Sequence, residues 1–197
     1  MVATLHIATA LAGLLATVGA IDVRYYTTPG TGNTITCNGG YSQCTGLSPD
    51  VCCYYSGSRT VAFAAIPTEW RIQARFYGGE NCSGEQRNDY SNGRDNICWA
   101  LNGIYVKGAG YGFVNKRSEA EITAATGAGN KKCVRPDLLV FETGESYQLD
   151  TLTESQYAEM LCDVNYADLI FPTYSTSIHM AGGNATDVPA SFSAFRR

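Results

Sequence analysis

The sequence predicts a mainly β domain: a sandwich of short strands, fastened by disulfides, with one or two short helices packed on it. Three observations predict this class. The composition includes 21 glycines and 13 tyrosines, and only 16% of the residues are charged. Residues 70–76 alternate between apolar and polar side chains, which is the period of a half-buried strand. Eight cysteines provide an even number of disulfide partners.

The chain divides into a leader, one domain and a tail. Residues 1–20 are apolar and small and end in Val18, Gly19 and Ala20, so we expect a secretory signal peptide cleaved at this point. Residues 21–177 are long enough for one secreted domain with its own core. Residues 178–197 are rich in small and polar side chains, which predicts a mobile tail.

The charge balance indicates which kinds of binding partner to expect. The formal net charge is −4, which gives no reason to expect nucleic acid or an anionic membrane surface as a partner. The C-terminal residues are not an apolar run that would signal a lipid anchor, so we expect no membrane anchor. The expected partner is an extracellular glycan or host protein.

Two consecutive strands are predicted near the middle of the chain. The apolar residues 61–66 predict the first, the alternating residues 70–76 predict the second, and Pro67 marks a turn between them. Arg71 and Arg75 should face solvent. The opposite face should be buried in the core and consists of Trp70, Ile72 and Phe76.

Turn residues predict the elements that follow. Residues 85–96 form a predicted polar loop with a turn at Asn92 and Gly93. The pair Asn102 and Gly103 predicts a hairpin between strands at 97–101 and 104–107, because both residues tolerate positive φ. Residues 138–141 and 146–149 flank Thr143 and Gly144 as a second predicted hairpin.

Two capping boxes predict short helices. Ser118 and Glu121 open a predicted helix near 119–126. Thr153 and Gln156 open a second one, in which Tyr157 and Met160 share a face.

The cysteines behind the leader predict four disulfides and no free thiol. Cys52 and Cys53 should not bond to each other, because adjacent residues would close a strained ring. We expect Cys82 to pair with Cys98 across the polar loop. The full set is Cys37, Cys44, Cys52, Cys53, Cys82, Cys98, Cys133 and Cys162.

Residues 77–84 resemble one repeating unit of the βγ-crystallin superfamily. That unit has an aromatic residue, four further residues, a second aromatic residue, one more residue and a glycine. Tyr77 and Gly84 occupy the first and last positions, and Cys82 stands where the second aromatic residue belongs. Upstream residues resemble the strands that join two such units: Ser58, Val61, Phe63, Trp70 and Ile72. The resemblance implies a Greek-key, βγ-crystallin-like sandwich.

The same resemblance implies a calcium loop. Residues 88–92 resemble the calcium-binding segment of that superfamily, with oxygen ligands of the kind that Ca²⁺ prefers from Asn88, Asp89 and Ser91. Asn92 and Gly93 stand where the family has a pair of hydroxyl side chains. An ordinary polar loop is the alternative interpretation.

The leader, the adjacent cysteine pair and the glycine-rich turn near Cys82 also resemble small secreted cysteine-rich proteins of fungi. This resemblance implies a non-enzymatic protein that acts by binding, as a host- or cell-wall-directed effector or a lectin-like module. Exposed tyrosines could stack on sugar rings, and Tyr90 is the predicted contact; tyrosines in strands are otherwise core residues or cross-strand partners. The wider set is Tyr25, Tyr26, Tyr41, Tyr54, Tyr55 and Tyr90.

A secreted hydrolase acting on polysaccharide is the alternative function. His179 is the only histidine after the leader, and we expect it to be a solvated tail residue rather than a catalytic base. Glycosidases need two carboxylates that the fold brings together. Two groups of acidic residues are candidates: Glu142, Glu145 and Asp150, and Glu80, Glu85, Asp89 and Asp95.

Three short motifs predict modification. Asn184, followed by Thr186, is an expected glycosylation site in the tail. Asn81 is formally a second sequon, but the expected disulfide at Cys82 argues against its use. Lys116 and Arg117 resemble a dibasic processing site, with two surface residues before a helix as the alternative.

Overall fold

The computed structural model describes residues 20–27, 36–100, 105–114, 132–160 and 188–197, and most of these residues lie in short strands. The strands are β1 (Ile21–Tyr26), β2 (Tyr41–Leu47), β3 (Cys52–Ser58), β4 (Thr60–Ala64), β5 (Ile72–Gly79), β6 (Ser83–Tyr90), β7 (Ile97–Ala100), β8 (Val106–Phe113), β9 (Cys133–Val134), β10 (Leu138–Val140) and β11 (Ser146–Gln148). The described helices are α1 (Glu154–Met160) and two short 3₁₀ helices, Glu80–Cys82 and Ala190–Phe195. The prediction of a mainly β fold with short helices is confirmed.

The strands form two sheets that share one core. The first sheet has the order β11-β10-β2-β1-β4-β7, and the second has the order β6-β5-β8-β3-β9. Both sheets contribute buried side chains to the same cluster, including Val23 and Phe63 from the first and Ile72 and Phe76 from the second. The rings of Phe63 and Phe76 meet edge to face, with centroids 5.5 Å apart, so aromatic packing joins the two layers.

Strand β5 confirms most of the predicted inward face and corrects one position. Ile72 and Phe76 are buried in the core. Trp70 lies before the start of β5, is only half-buried and packs against the margin of the core. Its ring meets that of Phe113 edge to face, with the centroids 4.9 Å apart. The prediction that Trp70 is fully buried is therefore wrong.

Arg75 is a second correction, because its side chain is held by neighbours and is only 12% exposed. Its Nη1 lies 3.1 Å from Asp50 Oδ1, and its Nε donates to Gln73 Oε1 at 3.0 Å. A Cβ at Gly112 would collide with the guanidinium, so the absence of a side chain there leaves room for it. Arg71 is exposed, as predicted.

One predicted loop and one predicted hairpin differ from the structure. Most of the polar stretch after Cys82 forms the edge strand β6 rather than a loop, and its side chains are mostly exposed because only β5 pairs with it. The predicted turn after β6 is present, with φ of 47° at Asn92 and 80° at Gly93. Strands β7 and β8 do not form a hairpin, because β7 pairs with β4 and β8 pairs with β3 and β5. The predicted turn pair Asn102 and Gly103 lies outside the described residues.

Three disulfides are present among the described residues. They join Cys37 to Cys98, Cys44 to Cys53, and Cys52 to Cys82. The expected bond between Cys82 and Cys98 is wrong: β7, which contains Cys98, lies at the edge of the first sheet, whereas Cys82 lies beside β3 in the second. Adjacent Cys52 and Cys53 have separate partners, as predicted.

A smaller core lies beside the main one and includes the C-terminal residues. It contains Leu139 and Tyr147 from the β10–β11 hairpin, which forms as predicted, together with Met160 from α1 and Phe192. Phe192 is 1% exposed, Arg196 bridges to Tyr147, and its guanidinium lies 3.1 Å from Glu145 Oε1. Phe192 and Arg196 thus contact the smaller core, while the mobility of the tail at 178–197 stays a prediction. Residues 178–187 lie outside the described residues.

Candidate binding groove

A groove of about 350 Å³ opens on the surface between β3, the first 3₁₀ helix and α1. This volume lies in the range of small-ligand sites, about 300–1,000 Å³. The lining is mainly aromatic and polar: Tyr54, Tyr55, Ser56, Glu80, Asn81, Tyr157 and Ala158. These residues are hereafter called the tyrosine groove.

Strand β3 supplies two neighbouring tyrosines. Its pairing with β8 is irregular between Tyr54 and Ser58, and such a bulge re-aims side chains relative to regular strand alternation. Tyr54 is 38% exposed. Tyr55 is half-buried, and its ring stacks on that of Tyr25 with centroids 5.0 Å apart. One wall of the groove is therefore anchored on the main core.

The tight turn after β5 supplies Glu80 and Asn81. Asn81 and Cys82 both have φ of 53°, a left-handed conformation in which the chain reverses. The disulfide from Cys82 to Cys52 fixes this turn next to β3. A Cβ at Gly108 would lie 2.8 Å from Cys82 Sγ, so only a glycine on β8 lets the turn pack this closely.

Helix α1 supplies the third ring, Tyr157. The predicted capping box is present, since Gln156 Oε1 accepts from the Thr153 amide at 3.0 Å and the Thr153 hydroxyl accepts from the Gln156 amide at 3.4 Å. Arg135 then fixes the ring: its guanidinium carbon lies 4.0 Å from the Tyr157 centroid, and its Nη1 lies 2.7 Å from Glu154.

The phenol of Tyr157 is kept neutral. Its hydroxyl donates to the Pro136 carbonyl at 3.2 Å. Burial raises the pKa of Tyr157, the Arg135 charge opposes this rise, and the neighbouring phenols of Tyr54 and Tyr55 add to it. An uncharged Tyr157 ring therefore lines the groove.

Among the described residues that line the groove, Glu80 is the only charged one. Its side chain is 82% exposed, and Lys107 Nζ lies 4.0 Å from its Oε1. Exposed ion pairs of this kind are weak, about 0–1 kcal/mol. The carboxylate therefore remains available to a ligand, with three aromatic rings beside it.

The predicted calcium ligands are engaged in hydrogen bonds with other parts of the protein. The Ser91 hydroxyl is buried, accepts from the Ile72 amide at 3.1 Å and donates to the Trp70 carbonyl at 2.7 Å. Asp89 Oδ1 accepts from Arg94 Nη2 at 2.9 Å, and Asn88 Oδ1 accepts from Gln86 Nε2 at 2.6 Å. Each oxygen thus has a protein partner. The described part of the chain contains no cluster of three His, Cys, Asp or Glu residues suited to a metal.

Three of the candidate acidic residues form ion pairs with arginines. Glu85 pairs with Arg87, Asp89 with Arg94, and Glu145 with Arg196. The pKa of Glu145 is lowered by the Thr143 hydroxyl, by its own amide and by Arg196. Glu142 and Asp150 are exposed near the ends of β10 and β11, and Asp95 is exposed after β6. Glu80 alone of these residues lines the tyrosine groove.

Tyr90 lies at the end of β6, outside the groove lining, and is 41% exposed. Its hydroxyl accepts from Gln73 Nε2 at 3.1 Å. Several other predicted sites lie outside the described residues: Asn184, His179, Lys116, Arg117, Cys162, and the predicted helix near 119–126.

The sequence interpretation missed Tyr157 and Asn81 as site residues. Tyr157 was predicted only as a helix-face residue, and Asn81 only as a formal glycosylation sequon. Tyr54 and Tyr157 are about a hundred positions apart in the chain. No local pattern connects them, so the aromatic site emerges only from the packing of α1 against β3.

One family model matches residues 22–137, and its description is ARB_05566_N: N-terminal domain. The match covers β1 to β9 and ends just before β10. No curated protein and no solved structure matches the chain. Among the described helices, none has the length and apolar character needed to cross a membrane.

Proposed function

We propose that this chain, which belongs to the ARB_05566_N N-terminal domain family, is a secreted, non-enzymatic protein that binds an extracellular glycan. This proposal places it with fungal cysteine-rich effectors or lectin-like modules directed at a host or a cell wall. The observation that favours it is the tyrosine groove. The exposed ring of Tyr54 and the partly exposed rings of Tyr55 and Tyr157 offer apolar surface to a sugar ring, while Asn81, Ser56 and Glu80 offer groups for its hydroxyls.

Two further observations support secretion. Disulfides persist in oxidising compartments, and three of them cross-link the described part of the chain. In addition, strand β1 begins at Ile21, directly after the expected cleavage point, and Ile21 is fully buried in the main core. Removal of the leader at that point would leave every described strand in the mature chain.

The βγ-crystallin relationship remains a hypothesis at the level of a motif. Tyr77 is buried and packs beside Cys82, and Gly84 has φ of 73°, a conformation that favours glycine. The predicted calcium site receives no support, because its three oxygens have other partners.

The hydrolase alternative is less well supported. A glycosidase needs two carboxyl groups on opposite sides of the scissile bond, about 5–9.5 Å apart. The described lining of the tyrosine groove has one carboxylate, Glu80. The side chain of this carboxylate is 82% exposed, which suits contact with a ligand.

A glycan array probed with the mature protein tests the proposed function. We expect retention on a restricted set of glycans, strong loss of signal for Tyr54→Ala, and wild-type signal for Tyr90→Ala. Tyr90 is the matched control because it is equally exposed and lies outside the groove lining. Binding that depends on Tyr90 instead would favour the sequence-based site.

The array should be accompanied by a reducing-end assay on the retained polysaccharides. We expect no release of reducing ends by the wild-type protein. Turnover that Glu80→Gln abolishes would replace the binding proposal by the hydrolase alternative. If the correctly folded protein binds no glycan at all, the proposed function is wrong.

A further inference from the structure

The tyrosine groove combines aromatic rings with one accessible negative charge. Tyr54, Tyr55 and Tyr157 line it together, and Glu80 is the only charged residue in its described lining. Aromatic faces attract cations through the ring quadrupole, and cages of such rings are known to recognise ammonium groups. Neither feature favours an anionic ligand, and the chain as a whole has a formal net charge of −4.

The Tyr157 ring of the groove already contacts a cation. The Arg135 guanidinium lies over Tyr157 with its central carbon 4.0 Å from the ring centroid. Glu154, 2.7 Å from Arg135, balances that cation, so the pair leaves no net positive charge beside the ring. The remaining groove surface is accordingly suited to a second cation, placed near Glu80.

We infer that the tyrosine groove binds a saccharide with a free, protonated amino group, held by the three rings and paired with Glu80. The inference rests on the proposed glycan function and names the ligand class. The sugar ring stacks on tyrosine, its ammonium group lies beside the carboxylate, and Asn81 and Ser56 contact its hydroxyls.

Lys107 gives the inference a second consequence. Its ammonium group lies 4.0 Å from Glu80 and does not line the groove. A bound ammonium would therefore compete with Lys107 for the same carboxylate. Removal of the lysine charge should strengthen binding of an amino sugar, which a purely steric groove would not predict.

Isothermal titration calorimetry with three β-1,4-linked hexamers tests the inference. The hexamers of glucosamine, N-acetylglucosamine and glucose share a backbone and differ at one ring substituent, so the charge is the main variable. We expect the glucosamine hexamer to bind at least about tenfold tighter than the other two, which is the scale of one desolvated cation–π contact with an ion pair. This preference should shrink in about 1 M salt.

Single variants test which charged side chains produce the preference for the amine. Glu80→Gln should reduce the preference for the amine to within about twofold, whereas Glu142→Gln, with the same loss of charge in the β10–β11 turn, should leave it unchanged. Lys107→Gln should tighten binding of the glucosamine hexamer alone. A hexalysine peptide provides the other source of ammonium groups, and we expect it to bind more weakly than the glucosamine hexamer.

Each outcome decides the inference. Equal affinity for the three hexamers overturns the amine assignment, and a preference that survives Glu80→Gln overturns the pairing of the amine with Glu80; the glycan function stands in both cases. Hexalysine binding as tight as the glucosamine hexamer overturns the saccharide part of the assignment. If no hexamer binds but the array shows other glycans, only the ligand class is wrong; if the array is also blank, the proposed function fails with it.

Discussion

Two tyrosine hydroxyls are enclosed within the sandwich and donate to main-chain carbonyls there. The Tyr25 hydroxyl donates to Cys53 at 2.7 Å, and the Tyr111 hydroxyl donates to Leu47 at 2.9 Å. Burial raises the pKa of Tyr111 to about 12, with a further contribution from the nearby Asp50 charge. Burial also raises the pKa of Tyr25 well above its usual value. Both phenols therefore stay neutral in the folded protein where an unfolded chain would ionise.

Stability should fall in alkali because of these two groups. An unfolded tyrosine loses its proton near pH 10, while folded Tyr111 retains it up to about pH 12. Below pH 10 the contribution is fully present. Between about pH 10 and 12 the unfolded state binds fewer protons, so each such group lowers the free energy of unfolding by about 1.4 kcal/mol per pH unit.

Tyr111→Phe should flatten this alkaline slope in denaturant titrations. The variant should also cost about 1–3 kcal/mol at neutral pH, because the Leu47 carbonyl loses its donor. An unchanged alkaline slope in the variant would contradict the assignment.

Arg71, just before β5, and Arg75, within β5, should differ in their effect on stability. Arg75 contacts Asp50 and Gln73 and lies over Gly112, whereas Arg71 is exposed. We expect Arg75→Ala to lower the free energy of unfolding by about 1–2 kcal/mol, through lost packing and a partly buried ion pair. Arg71→Ala should stay within about 0.5 kcal/mol of wild type. Equal losses in urea titrations of the two variants would show that the Arg75 contacts do not stabilise the fold.

Among the elements, the C-terminal 3₁₀ helix is integral to the smaller core. Phe192 is buried beside the β10–β11 hairpin, and the amide of Arg197 donates to the Ser146 carbonyl at 2.8 Å. Phe192→Ala should therefore cost about 3–5 kcal/mol through lost burial and a cavity. Ser193→Ala, at an exposed position of the same helix, is the control. If both variants unfold at the wild-type denaturant concentration, the segment does not pack on the core.

The elements also show which features a sequence can predict. The start of α1 was predictable because Thr153 and Gln156 bond to each other's backbone and lie within one turn. The β10–β11 hairpin was predictable because Gly144, with φ of 94°, permits the turn between adjacent strands. The strands that pair with β7 and β8 were not predictable, because an Asn-Gly pair indicates a turn but does not determine which sheet each strand joins.

At the scale of the whole molecule, disulfides tie distant parts of the chain together. The bond between Cys37 and Cys98 joins residues 61 positions apart, and that between Cys52 and Cys82 joins residues 30 apart. Spacing along the sequence did not predict either pair, because the pairing depends on which strands are neighbours. The tyrosine groove has the same origin: its rings lie on elements that meet only in the folded chain.

Peptide mapping of the secreted, unreduced protein should recover all three of these disulfides. Six cysteines are then assigned, so a fourth bond must join the remaining two, Cys133 and Cys162, if all eight are oxidised as predicted. Thiol titration under denaturing conditions should find no free thiol. A Cys82–Cys98 peptide would contradict the fold.

The same peptide map can show whether Asn81 carries an N-glycan. An N-glycan on Asn81 would contradict the groove as an open site, because Asn81 lines it.

The most direct test of the central claim is to locate the bound glycan on the protein. The ¹⁵N-labelled mature protein is titrated with the glycan that the array retains most strongly, and amide chemical shifts are followed. We predict that the largest changes fall on Tyr54, Tyr55, Ser56, Glu80, Asn81, Tyr157 and Ala158, and that Tyr90 is unaffected. Changes centred on Tyr90, or saturating changes that avoid both β3 and α1, would contradict the tyrosine groove as the binding site.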